Sequence, residues 1–315
     1  MSGAILLFLV NIAAAQSDTQ IDSDHDGLAD SVEQKLLEKY RPTFMISATD
    51  CAVRPASFEP DQAHPKPLAA DGTIYGQVFP VPGSTDVEIH YYTLWDKDCG
   101  RVQHPLDAEH VSAIVTNGAG STTEALYWYA GAHEKTSCDI SSGARATALG
   151  AEEHGPRVWS SAGKHALYLR KKMCGGGCGA DSCEDDIELP NQGAVINIGE
   201  LKSPSDGFSW IASPEWALPN KMDSDFSPEL VTRLEATSGE TVITVRGSST
   251  IRGTIQGSDM VLGGAETGAQ HTGAALGTAN DHTSNSLGKA TRATGRSLRR
   301  AWNSVFGGKQ QEEEK

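Results

Sequence analysis

The chain has 315 residues, 38% hydrophobic and 21% charged, enough to bury one full core and still leave tails. Its 26 basic and 41 acidic side chains give a formal net charge of -15 and a pI near 5.0. That balance argues against general nucleic-acid binding and favours cations or neutral surfaces as partners.

At the N-terminus, Ala4 to Val10 is an apolar core and Ala13-Ala14-Ala15 offers a small-residue cleavage site, so residues 1–15 read as an export signal. The apolar run is too short to span a bilayer, and the protein is expected to be secreted or periplasmic. The six cysteines, Cys51, Cys99, Cys138, Cys174, Cys178 and Cys183, are an even number and fit an oxidising compartment. They are expected to form disulfides, with the pairing left open.

Residues 16–36 carry a cation motif. Asp22-Ser-Asp24-His-Asp26-Gly27-Leu28-Ala-Asp30-Ser-Val-Glu33 fits the calcium-loop pattern without a mismatch. Asp22, Asp24 and Asp26 supply side-chain oxygens, Gly27 permits the sharp turn, Leu28 offers its carbonyl, Asp30 acts through water, and Glu33 can bind with both oxygens. Val32, Leu36, Leu37 and Tyr40 follow at helical spacing and stop before Pro42, which puts Glu33 in the first turn of a helix.

Residues 37–256 read as one mainly β domain, a β-sandwich. Val87 to Trp95 alternates as a strand, and 111–115, 125–130, 157–160, 166–169, 194–198 and 241–245 are short, β-branched or aromatic-rich runs between turn residues. The densest chemistry lies in His104-Pro105-Leu106-Asp107-Ala108-Glu109-His110. Residues two apart in a strand share a face, so Asp107 and Glu109 present two carboxylates together, with His104 on the incoming turn and His110 on the opposite face. Adjacent carboxylates repel unless a cation or a shared proton compensates them. With Asp96 at the end of the preceding strand, Asp96, His104, Asp107 and Glu109 are placed to converge across a hairpin. His133 and Glu134, His154 and His165 lie near other strands, where one of them is available to complete that site.

Beyond the strands, the stretch from Ser203 to Pro228, with Trp210 and Trp216, reads as a long ordered loop whose tryptophans pack. Residues 257–288 shift to Gly, Ala, Thr and Ser and read as a linker; residues 289–315, with Lys289, Arg292, Arg296, Arg299 and Arg300, read as a flexible tail holding a basic amphipathic helix.

Two resemblances attach to these motifs. Glu38-Lys39-Tyr40-Arg41-Pro42, the His104 to His110 run and Ser161-Ala162-Gly163-Lys164-His165-Ala166 resemble the vacuolar protein sorting-associated protein 62-like family over about Leu37 to Leu169. More distantly, the His-x-x-Asp-x-Glu spacing is similar to that of the secreted necrosis- and ethylene-inducing-like proteins. The second likeness implies a β-sandwich that docks on membranes, with Asp96, His104, Asp107 and Glu109 holding a second divalent cation, calcium or magnesium; the first adds His165. Ala108 stands where both families carry Trp. The implied function is metal-dependent recognition of a glycan or lipid head group at a cell or membrane surface. The alternative is a metal-dependent hydrolase of esters or phosphodiesters with Glu109 or His110 as general base. The chain has no Gly-x-Ser-x-Gly elbow, phosphate-binding glycine loop or His-Glu-x-x-His helix, which favours binding over catalysis.

Overall fold

The structure, a computed structural model, describes residues 21–245 except 101–102, 117–122, 135, 137, 176–180, 201–202, 205–208, 217–223 and 238–240. The expected signal, linker, basic tail and Cys178 lie outside the described residues. In chain order the elements are α1 (Asp30–Lys39), β1 (Thr43–Ser47), β2 (Ser57–Phe58), β3 (Pro67–Ala69), β4 (Ile74–Pro80), β5 (Val87–Asp98) and β6 (His104–Val115). Then come β7 (Ala125–Ala130), β8 (Ser142–Arg145), α2 (Ala146–Leu149), β9 (Arg157–Ser160), β10 (Leu167–Tyr168), α3 (Lys171–Cys174) and β11 (Asp186–Glu188). The described chain closes with β12 (Val195–Asn197), β13 (Gly199–Glu200), β14 (Ser203–Pro204), α4 (Pro228–Ala236) and β15 (Val242–Thr244).

The protein is mainly β. One seven-stranded sheet runs β12-β4-β5-β6-β7-β8-β15 and a four-stranded sheet runs β10-β9-β1-β11. Both feed one apolar core: Tyr91, Trp95 and Val111 from the large sheet meet Phe44, Val158 and Leu167 from the small one. The other face of the large sheet is covered too. Tyr92, Leu94 and Ala108 pack with Phe58, Trp210 and Trp216, while Tyr129 packs under Phe226, Leu230 and Leu234 of the α4 segment. That double cover explains why β5 is buried from Val87 through Trp95 and β6 from Asp107 onward despite their polar residues. The tryptophan segment does pack, but it contains a 3-10 turn at Ser209–Ala212, and Pro228 opens a helix.

Helix α1 inserts Leu36, Leu37 and Tyr40 into the main core, so the N-terminal loop is continuous with the β-rich body. Gly76 in β4 permits that docking: a Cβ there would lie 2.5 Å from Leu37 Cδ2. Disulfides Cys51–Cys99 and Cys174–Cys183 are formed, Cys138 is also disulfide-bonded, and no described cysteine is free. With a sequence separation of 48, Cys51–Cys99 restricts the unfolded chain by about 4 kcal/mol in the loop-entropy picture.

Candidate functional site

The β5–β6 register pairs Thr93 with Glu109, Trp95 with Asp107 and Asp98 with His104. Asp107 and Glu109 therefore share the core face, and His110, opposite Tyr92, takes the other face. Both carboxylates are buried. Asp96 is exposed, one residue out of phase with Trp95. The carboxylate that senses Asp107, His104 and His165 is instead Asp98, whose pKa is raised by burial and by Asp107, against the Gly100 N–H bond and the two histidines. His104 is half exposed, with Nε2 3.6 Å from Asp98.

Three loops close over this end of the hairpin. Cys99 N–H donates to the Gly163 carbonyl at 2.7 Å, and Gly163 N–H donates to Asp50 Oδ2 at 2.7 Å. Cys51–Cys99 ties the Asp50 loop to the end of β5. His165 sits at the junction, fully buried, with Nδ1 2.9 Å from Asp107 Oδ2, Nε2 3.7 Å from Asp50 Oδ1 and its ring stacked 3.9 Å from Trp95. Burial alone would lower its pKa, but the hydrogen bond to Asp107 and the nearby charges of Asp107 and Asp50 lift it to about 9. The two carboxylates favour the imidazolium form of His165 against the Trp95 indole face.

Next to it, Asp181 accepts hydrogen bonds from Ser161 (3.0 Å), Lys164 (2.7 Å) and Tyr168, with His133 Nε2 at 2.7 Å. Burial would raise its pKa; His133, Lys164 and Tyr168 outweigh it and keep Asp181 ionised. Burial likewise works against the His133 charge, yet Asp181 and then Glu109 raise its pKa. Leu106, His133 and His165 all hold positive φ (56°, 53° and 55°), a costly backbone for non-glycine residues and one that concentrates at functional sites.

The five expected ligands Asp96, His104, Asp107, Glu109 and His165 therefore do not surround one point. Asp96 stands apart from the rest on the exposed side of β5, and both Asp107 oxygens are engaged, Oδ1 by the Ala108 N–H at 2.9 Å and Oδ2 by His165. Asp50, Asp98 and Asp181 were not singled out from the sequence, and Lys164 entered only as part of the Ser161–Ala166 motif. Only Asp50 and Asp98 carried a signal, each being next to a cysteine. His154 is outside the cluster, its Nδ1 bonded to the Gly155 carbonyl.

The N-terminal loop keeps its expected order. Asp22 accepts N–H bonds from His25 (2.8 Å) and Gly27 (3.1 Å), Asp26 accepts from Leu28 (2.6 Å), and Asp30 accepts from the Ser23 N–H and hydroxyl. Gly27 takes φ 96°. Oxygens of Asp22, Asp24 and Asp26 lie within 4.8 Å of one another. Glu33, in the first turn of α1, is 1% exposed; Asn197 donates to Oε2 at 2.9 Å, while Oε1 is buried without a hydrogen-bond partner. Burial, opposed by Asn197 and reinforced by Asp24, Asp26 and Asp30, pushes Glu33 up to about 8. An oxygen-only donor set with a buried, unsatisfied carboxylate oxygen fits a calcium ion.

Fold and site together define a mainly β, disulfide-linked protein with a buried carboxylate–histidine network at a hairpin end. No family model and no curated protein matches the chain. Among solved structures it is similar to necrosis and ethylene inducing protein 2 from the causal agent of cocoa's witches' broom disease. The two are 16% identical over 68% of this chain and 97% of that one, with a TM-score of 0.36. It is also similar to the non-toxic HaNLP3 protein (12%, 69% and 95%, TM-score 0.34) and to NLPPya in complex with glucosamine (13%, 67% and 84%, TM-score 0.33).

Proposed function

We propose that the protein is a secreted, calcium-stabilised recognition module that binds a glycan or lipid head group at the outer end of the β5–β6 hairpin. The carrying observation is a graded polar cluster. Asp98, His104, His133 and Lys164 form a partly exposed rim: His133 and Lys164 are bonded to buried Asp181, while Asp98 accepts the Gly100 N–H and pairs with His104. Donors and acceptors held this way lose little freedom when a hydroxyl- or phosphate-bearing ligand arrives. The strained backbone at Leu106, His133 and His165 supports the same placement.

The Ser161 hydroxyl donates to Asp181 rather than to an imidazole, which supports binding over Ser–His hydrolysis. In this reading the calcium is held by Asp22, Asp24, Asp26, Asp30, Glu33 and the Leu28 carbonyl, where it fixes the entry to α1. Recognition then needs no second ion.

The test is retention on glycan and lipid-head-group arrays, in calcium and in chelator, for wild type and for Asp98→Asn with His104→Ala. The double variant should bind at least tenfold more weakly while melting like wild type. No retention of the wild type on any array, or equal retention of the folded variant, overturns the reading. Ester or phosphodiester turnover lost in Glu109→Gln would instead establish the hydrolase.

A further inference from the structure

On the opposite face of the large sheet lies a second buried polar group that the recognition site does not use. His90 and His110 come from the neighbouring strands β5 and β6, where Tyr92 pairs with His110 and His90 with Ser112. Their rings stack with centroids 5.8 Å apart and planes 10° apart. Asp225, arriving from the segment before α4, is set between the strands. His110 Nε2 lies 2.9 Å from its Oδ2, the Ser112 hydroxyl donates to the same oxygen at 2.5 Å, and its own N–H donates to Glu88 Oε1 at 2.8 Å. His90 is 1% exposed, His110 0% and Asp225 5%.

Three features point to a ligand. One nitrogen of each imidazole and one Asp225 oxygen lie within 4.8 Å of one another, so modest closing brings them to the roughly 3.3 Å that separates ligands of a tetrahedral zinc ion. Each imidazole is also held by a carboxylate. Glu88 Oε1 is 3.1 Å from His90 Nε2, and Glu88 is fixed by the Ser224 hydroxyl at 2.6 Å. Glu134 Oε2 is 3.4 Å from His110 Nδ1 and is fixed by the Tyr129 hydroxyl at 3.0 Å. Such outer carboxylates orient metal-ligating histidines. Finally, His90 Nδ1 is buried without a hydrogen-bond partner, and His90 and Glu88 line a cavity of about 180 Å³ walled by Phe79, Pro82, Ile114 and Phe226. A buried unpaired nitrogen is costly, and the cavity leaves room beside the cluster.

We propose that His90, His110 and Asp225 bind a divalent transition-metal ion of the zinc type. Two imidazoles and one carboxylate suit zinc and its cobalt substitute better than calcium or magnesium. The site is tight: a Cβ on Gly131 would lie 3.1 Å from His110 Nδ1.

The test uses the full chain with its disulfides intact, stripped with chelator and titrated with Zn²⁺ or Co²⁺. Wild type should take up one equivalent of zinc and show visible absorption from bound cobalt. His90→Gln and Asp225→Asn should each weaken zinc binding at least tenfold, whereas His154→Gln, outside both clusters, should retain it. X-ray absorption of zinc-loaded wild type should show two imidazole ligands, a readout independent of how the variants fold. No zinc uptake by the folded wild type, uptake unchanged in folded His90→Gln and Asp225→Asn, or fewer than two imidazoles on the metal overturns the site.

Discussion

His165 is buried in the core, where Asp107 and Asp50 favour its charged form. Its pKa is lifted to about 9 in the fold, against about 6.5 in an unfolded chain. The stability it contributes is therefore fully present below pH 6.5 and lost as pH rises through 9. Wild-type melting temperature should fall across that window, and His165→Gln should flatten the fall. The variant should also lose about 3–5 kcal/mol at pH 6, because Asp107 and Asp50 are left without their partner. Thermal unfolding at several pH values checks both, and parallel pH profiles for the two proteins would remove the proposed charge. At this scale the sequence was partly legible. The shared face of Asp107 and Glu109 follows from strand period alone. Asp98 was missed because β5 continues three residues past Trp95 and because Leu106 turns to positive φ. Asp50 and Asp181 reach their histidines only through loop closure, which residue spacing does not encode.

Among the elements, α1 and the hairpin β5–β6 were readable because each has a clean period: Leu36, Leu37 and Tyr40 on one helical stripe, and a run of alternating side chains in β5. Strand β4 was not. Both its faces are covered, so Ile74, Tyr75, Gly76, Gln77 and Val78 are all buried and show no alternation. Helix α4 does carry a sequence signal: Ser227 caps it by accepting the Leu230 N–H, Pro228 holds the first turn, and Glu229 follows. Helix α1 approaches β4 closely at Gly76, where Leu37 fills the space a side chain would occupy. Gly76→Ala should push α1 away from β4 and cost about 1–3 kcal/mol in denaturant unfolding. Adding Leu37→Ala to Gly76→Ala should relieve the clash, so the double variant should be less destabilised than the sum of the singles. Strict additivity would show that the helix is not seated on this glycine.

For the whole molecule, the formal charge of -15 works against compaction, and the N-terminal loop concentrates part of that charge. Asp26 illustrates the cost: burial, opposed by the Leu28 N–H, and then Asp24, Asp22 and Asp30 all bear on its raised pKa. Because α1 is packed into the main core, relief of repulsion in the loop is transmitted to global stability rather than to a detached tail. An ion bound only by the folded chain stabilises it by about 2.7 kcal/mol at a hundredfold excess over its dissociation constant. Calcium should therefore raise the melting temperature of the entire β-rich body in one cooperative transition, and magnesium should do so less, since it resists the many-oxygen shell this loop offers. Asp24→Asn with Glu33→Gln should abolish the calcium increment while raising stability in chelator, because the variant removes charge that the ion-free loop cannot offset. Calorimetry in calcium, magnesium and chelator distinguishes the outcomes: a wild-type melt indifferent to calcium would leave the loop an acidic helix entry, and a calcium increment surviving in the double variant would move the ion elsewhere.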